Sequence, residues 1–127
     1  MIFLIDDDPD DQDFFLLAMQ RAKPGVHCAF AEDCSCAMDR LRDSAFNPQL
    51  IFIDINMPRM NGVDCLKEVR RIPRLRSVPA YMYSTSADDR MMELCLRLGA
   101  SGFLKKHVTI AEAEKDFEHI LATLNRQ

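Results

Sequence analysis

The chain of 127 residues has the length of one domain, and its 48% hydrophobic and 28% charged residues are ordinary for a protein with a packed core. The net charge of −4 provides no basic surface, which argues against direct nucleic-acid binding. The surplus acid is local, because six of the first thirteen residues are Asp. This clustering suggests a site.

The five cysteines occur in odd number, with no CxxC pair and no matching His spacing, which argues against a zinc site. We expect them to be reduced, mostly buried thiols in a cytosolic protein. The N-terminal apolar run ends at Ile5 and is too short for a signal peptide or a membrane span. We therefore expect a cytoplasmic protein that has no membrane contact.

Strand-like and helix-like segments alternate through the first half of the chain. Residues 2–5 predict a strand, and Pro9 opens a helix that Pro24 interrupts. Residues 26–31 predict a weaker strand, a second helix follows, and residues 50–53 are the most strand-like segment. The residues expected on the buried faces of the two helices are Phe14, Leu17, Ala18, Cys34, Ala37, Met38 and Leu41.

The alternation continues through the second half. A third helix starts near Gly62 and ends at Pro73. Residues 80–83 predict a fourth strand, and residues 102–104 predict a short fifth strand between two further helices. The positions expected to face inward are Val63, Leu66 and Val69 of the third helix, Met91, Leu94, Cys95 and Leu98 of the fourth, and Ile110, Ala113, Phe117, Ile120, Leu121 and Leu124 of the last. Those expected to face outward are Lys67, Arg70 and Arg71.

Five β–α units predict an α/β fold, in which a doubly wound, five-stranded parallel sheet carries helices on both faces. Such a sheet binds ligands beyond the carboxyl ends of its strands, near the point where strand order reverses. Asp6 follows the first predicted strand and Asp54 follows the third, so both are expected at that edge. Carboxylates gathered there cannot all ionise cheaply without a cation, and hard divalent ions prefer oxygen ligands. The sequence therefore predicts an acidic pocket of the Mg²⁺-binding type.

The acidic run after the first strand has a second interpretation. Helix capping explains Asp8, Asp10 and Asp11, because Asp at a cap or in a first turn satisfies free N–H groups. It explains Asp6 and Asp7 less well, since these residues directly follow the strand. A calcium-binding EF-hand loop is excluded, because positions 11 and 17 carry neither the glycine nor the glutamate that it requires.

Further polar groups are expected at the same edge. Asp54 alone has the interpretation of an ordinary loop carboxylate, and Ser84 that of a helix cap. A lysine after the fifth strand, Lys105 or Lys106, has the interpretation of a solvated charge. Together with the acidic pair, these groups supply a metal site, a nucleophilic carboxylate, a hydroxyl and a cation. Phosphoryl transfer to an aspartate requires this set.

These residues, in this order, resemble the receiver domain of two-component response regulators over essentially the whole chain. Asp6 and Asp7 match the family's acidic metal-binding pair. Asp54, with the turn-rich segment after it, matches the phosphoacceptor motif, and Asn56 falls on the position whose backbone carbonyl binds the metal. The resemblance implies the flavodoxin-like (CheY-like) strand order 2-1-3-4-5 and one receiver domain over residues 1–127.

The resemblance extends to the later strands, with one departure. Ser84 falls on the family's Ser/Thr position, Lys106 on its lysine and Phe103 on its switch aromatic. His107 stands where the family usually has proline, commonly across a cis bond. A cis bond before a non-proline residue costs about 2.5–4 kcal/mol, so we expect a loop that is either trans and rearranged or cis and strained. Thr85 is bulkier than the residue often found there, and we expect it to restrict access to the acceptor.

The resemblance implies a phosphorelay function. Asp54 would take a phosphoryl group from a phosphohistidine on a histidine kinase or phosphotransfer protein. The cofactor would be Mg²⁺, held by Asp6 or Asp7, Asp54 and the Asn56 carbonyl. Slow self-dephosphorylation by a water molecule near Asn56 and Ser86 would end the signal, so no enzyme activity beyond this is expected.

The resemblance also implies a switch. Ser84 and Lys106 would be drawn toward the phosphoryl group, and Phe103 would turn inward. This change would alter the surface of the fourth helix, fifth strand and last helix. Because no output module follows the last helix, we expect a separate effector protein, and neither nucleic acid nor membrane, to read it.

Two other functions remain open. A receiver-like interaction module that is never phosphorylated is motivated by His107. A Mg²⁺-dependent phosphatase with an aspartyl nucleophile is motivated by Asp6 and Asp8, whose spacing resembles that of haloacid-dehalogenase-like enzymes. Those enzymes normally carry more chain, including a cap.

Overall fold

A five-stranded, all-parallel sheet forms the centre of the molecule. The computed structural model describes residues 1–86 and 88–124. The strand order is β2-β1-β3-β4-β5, which confirms the predicted doubly wound topology. The strands are β1 (Ile2–Ile5), β2 (Cys28–Ala31), β3 (Leu50–Asp54), β4 (Ala80–Ser84) and β5 (Gly102–Lys105).

The helices begin where polar residues can cap them. They are α1 (Pro9–Ala22), α2 (Cys34–Leu41), α3 (Gly62–Arg70), α4 (Asp89–Arg97) and α5 (Ile110–Leu124), with a 3₁₀ turn at Pro73–Leu75. The side chains of Asp8, Asp33, Asn61 and Asp88 each accept a hydrogen bond from a backbone N–H in the first turn of the following helix. Such bonds satisfy donors that have no partner within the helix. Capping is thus the structural role of Asp8.

Alternate residues of each central strand face opposite sides of the sheet, so each strand contributes to two separate cores. One core packs the sheet against α1 and α5 and contains Leu4, Phe52 and Phe117. The other packs it against α2, α3 and α4 and contains Phe3 and Ile53. The helices therefore cover both faces, as expected for strands that are apolar throughout.

Two residues that were predicted to face inward, Leu17 of α1 and Leu94 of α4, are exposed instead. In α1 the buried positions include Phe15 and Met19. The apolar run around them covers several faces of the helix, so its spacing does not fix which face is buried. In α4 the fully buried side chain is Cys95, because this helix covers the sheet less deeply.

Arg70, predicted to point outward, folds back over the amino-terminal edge of the sheet. Its Nε donates to the carbonyl of Gly99 at 2.9 Å, and its Nη1 donates to the carbonyls of Leu75 and Val78 at 2.6 and 2.8 Å. The guanidinium fork reaches several acceptors at once. Arg70 therefore links the connection before β4, which contains Leu75 and Val78, to the connection before β5, which contains Gly99.

Cys34 and Cys65 form a disulfide between α2 and α3, so the expectation of reduced thiols is wrong for this pair. The two residues are 31 positions apart, and no motif marks them. The free cysteines among the described residues are Cys28, Cys36 and Cys95.

The register of the sheet aligns the carboxyl ends of its strands. Asp54 lies opposite Tyr83 across β3 and β4, and Ser84 lies opposite Lys105 across β4 and β5. Strands β1 and β3 also end level with each other, so Asp6 emerges beside Asp54. Polar residues from four strands therefore meet at one edge.

Candidate functional site

Three carboxylates meet where β1 and β3 end. Asp6, Asp7 and Asp54 each offer one carboxylate oxygen, and these oxygens lie within 4.8 Å of one another. Asp6 is 0% exposed and Asp54 is 4% exposed, whereas Asp7 faces solvent. Oxygen donors of this kind are typical ligands of hard divalent cations. The structure thus brings together the acidic residues that the sequence singled out.

Burial makes the ionised state of two of these carboxylates unfavourable. It is the main reason that the pKa of Asp54 is raised to about 6; the Lys106 ammonium opposes the rise, and the Asp6 charge adds to it. Burial likewise raises the pKa of Asp6, against the hydrogen bonds that it accepts from Asp8 and Lys106. Additional positive charge would stabilise both carboxylates.

Lys106 supplies a cation at the centre of the acidic group. Its Nζ lies 2.9 Å from Asp6 Oδ2, 2.7 Å from Asp11 Oδ2 and 3.5 Å from Asp54 Oδ1. Burial alone would lower the pKa of Lys106, but its hydrogen bonds to Asp11 and Asp6 outweigh this and raise it. The ammonium also lies 5.2 Å from the centre of the Tyr83 ring, within cation–π range. Lys106 is thus held in its charged form.

The backbone after β3 helps to fix the acceptor carboxylate. The N–H of Asn56 donates to Asp54 Oδ1 at 3.2 Å. The N–H of Gly62 donates to the Ile55 carbonyl at 2.9 Å, which brings the start of α3 against the end of the strand. A Cβ atom at position 62 would collide with the Asp54 carbonyl oxygen, so the approach requires glycine.

Asp54 lies in an open cleft of about 270 Å³. The cleft is lined by Asp7, Asp8, Asp11, Asp54, Asn56, Thr85 and Lys106. Thr85 is exposed and is one of these lining residues, and its effect on access to Asp54 stays a prediction.

Ser84 ends β4 and Phe103 lies in β5. The Ser84 hydroxyl is buried and donates to the Ser86 carbonyl at 2.7 Å, so it is turned toward its own loop. The cap of α4 is Asp88, which excludes the helix-cap interpretation of Ser84. Phe103 is half-buried against the core on the α2, α3 and α4 side.

The loop after Lys106 follows the first of the two conformations expected for it. No cis peptide bond occurs among the residues that the structure describes, so the bond before His107 is trans. The His107 ring turns to α5, where Nε2 lies 2.6 Å from Asp116 Oδ2 and Nδ1 lies 3.4 Å from Glu112 Oε2. This loop still delivers Lys106 to the pocket.

Sequence reasoning missed two residues that shape the site. Asp11 was assigned only to the first turn of α1, yet it is the nearest partner of Lys106. Asp116 was not singled out, although it holds His107. The contact between His107 and Asp116 had one signal in the sequence. A histidine replaces the family's proline, and the helix that follows it carries carboxylates.

The model of the response regulator receiver domain matches residues 2–118. The chain belongs to this family. An uncharacterised 14.6 kDa protein of Leptolyngbya boryana is 30% identical over 107 residues, which cover 84% of this chain and 79% of that protein. The two-component response regulator ARR16 of Arabidopsis thaliana is 32% identical over 84 residues, which cover 66% of this chain and 51% of that protein. The matched part therefore spans about half the length of ARR16.

The receiver domain is also similar to solved structures. The chemotaxis protein CheY4 of Vibrio cholerae superposes with a TM-score of 0.79 and 25% identity, covering 98% of this chain and 95% of that chain. The family resemblance and the CheY-like fold that the sequence motifs predicted are thus confirmed, and they place the chain in two-component signalling. Within residues 1–86 and 88–124, no helix has the length and hydropathy to cross a membrane.

Proposed function

We propose that Asp54 is the phosphoacceptor of this receiver domain and that the donor is a phosphohistidine of a histidine kinase or phosphotransfer protein. The observation that carries this proposal is the setting of Asp54. Asp54 is 4% exposed at the end of β3, and its carboxylate lies within 4.8 Å of two other carboxylates and 3.5 Å from Lys106. Such a setting favours the addition of a phosphoryl group, because the Lys106 ammonium can offset its negative charge.

In the proposed transfer, a carboxylate oxygen of Asp54 attacks phosphorus. The new P–O bond forms as the P–N bond to the donor histidine breaks. The imidazole leaves with the electron pair of that bond and takes up a proton from solvent. The Lys106 ammonium offsets charge on the phosphoryl oxygens, and the N–H of Asn56 orients the attacking carboxylate.

We propose Mg²⁺ as the cofactor of this site. Asp6, Asp7 and Asp54 would hold it with the backbone carbonyl of Asn56. The residues fit, because all of the donors are oxygens and the two buried carboxylates have raised pKa values. When bound, the ion neutralises and orients the phosphoryl oxygens.

The proposed response of the protein starts at Ser84. Turning toward the phosphoryl group would break its 2.7 Å hydrogen bond to the Ser86 carbonyl. Phe103, which is half-buried, would then turn further inward. The surface formed by α4, β5 and α5 would change, and a separate effector protein would read it. We further propose that residues 1–127 act as one cytoplasmic receiver domain whose only turnover is slow self-dephosphorylation.

The test compares the wild type with Asp54→Asn. Acetyl phosphate with Mg²⁺ is expected to add one phosphoryl group to the wild type, seen by intact mass, and none to the variant. Asp13→Asn serves as a matched control, because it removes one exposed carboxylate of α1 outside the cleft. Equal labelling of wild type and Asp54→Asn would overturn the proposal.

Mg²⁺ itself provides a second test. At about ten times its dissociation constant, the ion is expected to stabilise the wild type by about 1.4 kcal/mol. Asp6→Asn and Asp54→Asn should lose most of this effect, because each removes the negative charge of one proposed ligand. Equal stabilisation of all three proteins would contradict the assignment of the site.

The two alternative functions gain no support from the geometry. A module that is never phosphorylated was motivated by His107, yet Lys106 reaches Asp54 despite it. An aspartyl phosphatase would use Asp8 as its second acid, but Asp8 is exposed and its carboxylate accepts the N–H of Asp10 as a helix cap.

A further inference from the structure

Lys106 has a carboxylate partner outside the three-carboxylate cluster. Its Nζ lies 2.7 Å from Asp11 Oδ2, closer than its distances of 2.9 Å to Asp6 and 3.5 Å to Asp54. A lysine ammonium has three N–H donors. Two of these donors form hydrogen bonds, to Asp6 and to Asp11, and the contact with Asp54 is a longer ion pair. The nearest partner of Lys106 is thus Asp11 and not the proposed phosphoacceptor.

The first turn of α1 fixes Asp11 in this position. Asp8 caps the helix by accepting the N–H of Asp10 at 2.9 Å. The side chain of Gln12 donates to the backbone carbonyl of Asp6 at 2.8 Å. Both bonds tie the first turn of α1 to the segment after β1, and they hold the backbone of Asp11 beside the ammonium.

Asp11 differs from the other partners of Lys106 in its exposure to water. The Asp11 side chain is 39% exposed, whereas that of Lys106 is 10% exposed and that of Asp6 is 0% exposed. If Lys106 turns to another anion, Asp11 can replace the lost hydrogen bond with water, but Asp6 cannot. Asp11 is therefore the partner that Lys106 releases most readily.

We propose that Asp11 is a positioning residue that competes with the phosphoryl group for Lys106. In the unphosphorylated protein, Asp11 holds the ammonium toward α1. Once Asp54 carries the phosphoryl group, Lys106 turns from Asp11 to the phosphoryl oxygens. Asp11 thereby makes the phosphorylated form less stable than it would be without the Asp11 carboxylate. This inference rests on the proposed phosphoacceptor role of Asp54.

The test is a titration of ¹⁵N-labelled protein with beryllofluoride in the presence of Mg²⁺, followed by NMR. Asp11→Asn preserves the shape of the side chain and removes its charge. It is expected to tighten binding by up to about fivefold, the range for one partly exposed ion pair. Asp10→Asn is the matched control, because it removes the same charge from the same exposed turn and is not among the ion-pair partners described for Lys106.

A second pair of variants separates competition for the ammonium from a general effect of charge. In a Lys106→Gln background, Asp11→Asn is expected to change binding no more than Asp10→Asn does, because no ammonium remains to be released. The proposal is overturned if Asp11→Asn and Asp10→Asn behave alike in the wild-type background. It is equally overturned if Asp11→Asn weakens binding, or if it acts as strongly without Lys106.

The failure of this inference is distinguishable from that of the proposed function. If wild type and Asp54→Asn respond identically to beryllofluoride, the phosphoacceptor role fails. If the wild type responds and Asp54→Asn does not, the phosphoacceptor role stands. If Asp11→Asn then binds beryllofluoride no more tightly than Asp10→Asn does, the proposed competition for Lys106 fails.

Discussion

His107 Nε2 lies 2.6 Å from Asp116 Oδ2, and this pair ties the loop after Lys106 to α5. Proline would stiffen such a loop through its ring, whereas histidine does so through a side-chain contact. The two side chains are 22% and 38% exposed, so water screens their interaction only in part. The pair therefore contributes to the placement of Lys106.

His107→Ala is expected to lower the free energy of unfolding by about 1 kcal/mol, because one partly buried polar contact is lost. It should also weaken beryllofluoride binding, since the neighbouring Lys106 loses a restraint. Urea denaturation and NMR titration measure the two effects. His119→Ala is the control, because His119 is exposed on α5. Equal behaviour of the two variants would contradict a role for His107.

The raised pKa of Asp54 makes stability depend on pH. The folded-state pKa of Asp54 is about 6, well above the ordinary value of an aspartate, so the folded protein favours the protonated carboxyl. The resulting stabilisation is complete below the unfolded pKa and is lost as the pH rises through about 6. Without Mg²⁺, Asp54→Asn should therefore be more stable than the wild type by about 1–3 kcal/mol at pH 7.5. Its advantage should shrink toward pH 4.

Denaturation at both pH values, in a chelator, measures this difference. Asp13→Asn is the control, since its carboxylate is exposed on α1. The difference in free energy of unfolding between Asp54→Asn and the wild type should depend on pH. If it is the same at pH 4 and pH 7.5, burial of the ionised carboxylate is not its cause.

Arg70→Ala is expected to destabilise the fold by about 2–4 kcal/mol, because three backbone carbonyls lose their shared donor. Arg70→Lys should recover little, since an ammonium lacks the planar fork. Arg71→Ala serves as the control, because its exposed side chain pairs only with Glu68 among the described residues. Thermal unfolding reports these changes, and equal losses for Arg70→Ala and Arg71→Ala would contradict the proposed link between loops.

The disulfide of Cys34 and Cys65 predicts a definite thiol count. In the unfolded, unreduced protein, alkylation is expected at Cys28, Cys36 and Cys95 only, and mass spectrometry counts the labels. Reduction should then expose two more thiols and lower stability by about 2–4 kcal/mol. Five labels before reduction would contradict the disulfide. Cys36→Ser should leave stability unchanged.

The sequence predicted best the helices and strands that have an unambiguous pattern of apolar residues or a proline at one end. The apolar strands ending at Asp54 and Ser84 and the helix opened by Pro9 fall where expected, because continuous apolar runs and proline each have few structural interpretations. The buried face of α1 was harder, since its run of apolar residues permits more than one orientation. Leu17 is exposed for that reason.

The site was predictable to the extent that strand ends determine it. Asp6 and Asp54 could be placed at one edge because parallel strands share their direction. The long side chains could not be placed in this way. The acceptors of Arg70 and Lys106 come from segments that are distant in the sequence. Which of these acceptors lie within hydrogen-bond distance depends on the packed fold.

The hydrogen bond between Lys106 and Asp6 joins residues that are 100 positions apart in the chain. The complete site, with its ammonium, consequently forms only after β5 has joined the sheet, however well the first strands have paired. Binding of an anion there would report completion of the whole sheet. A chain whose last strand has not docked therefore lacks the ammonium of the complete site.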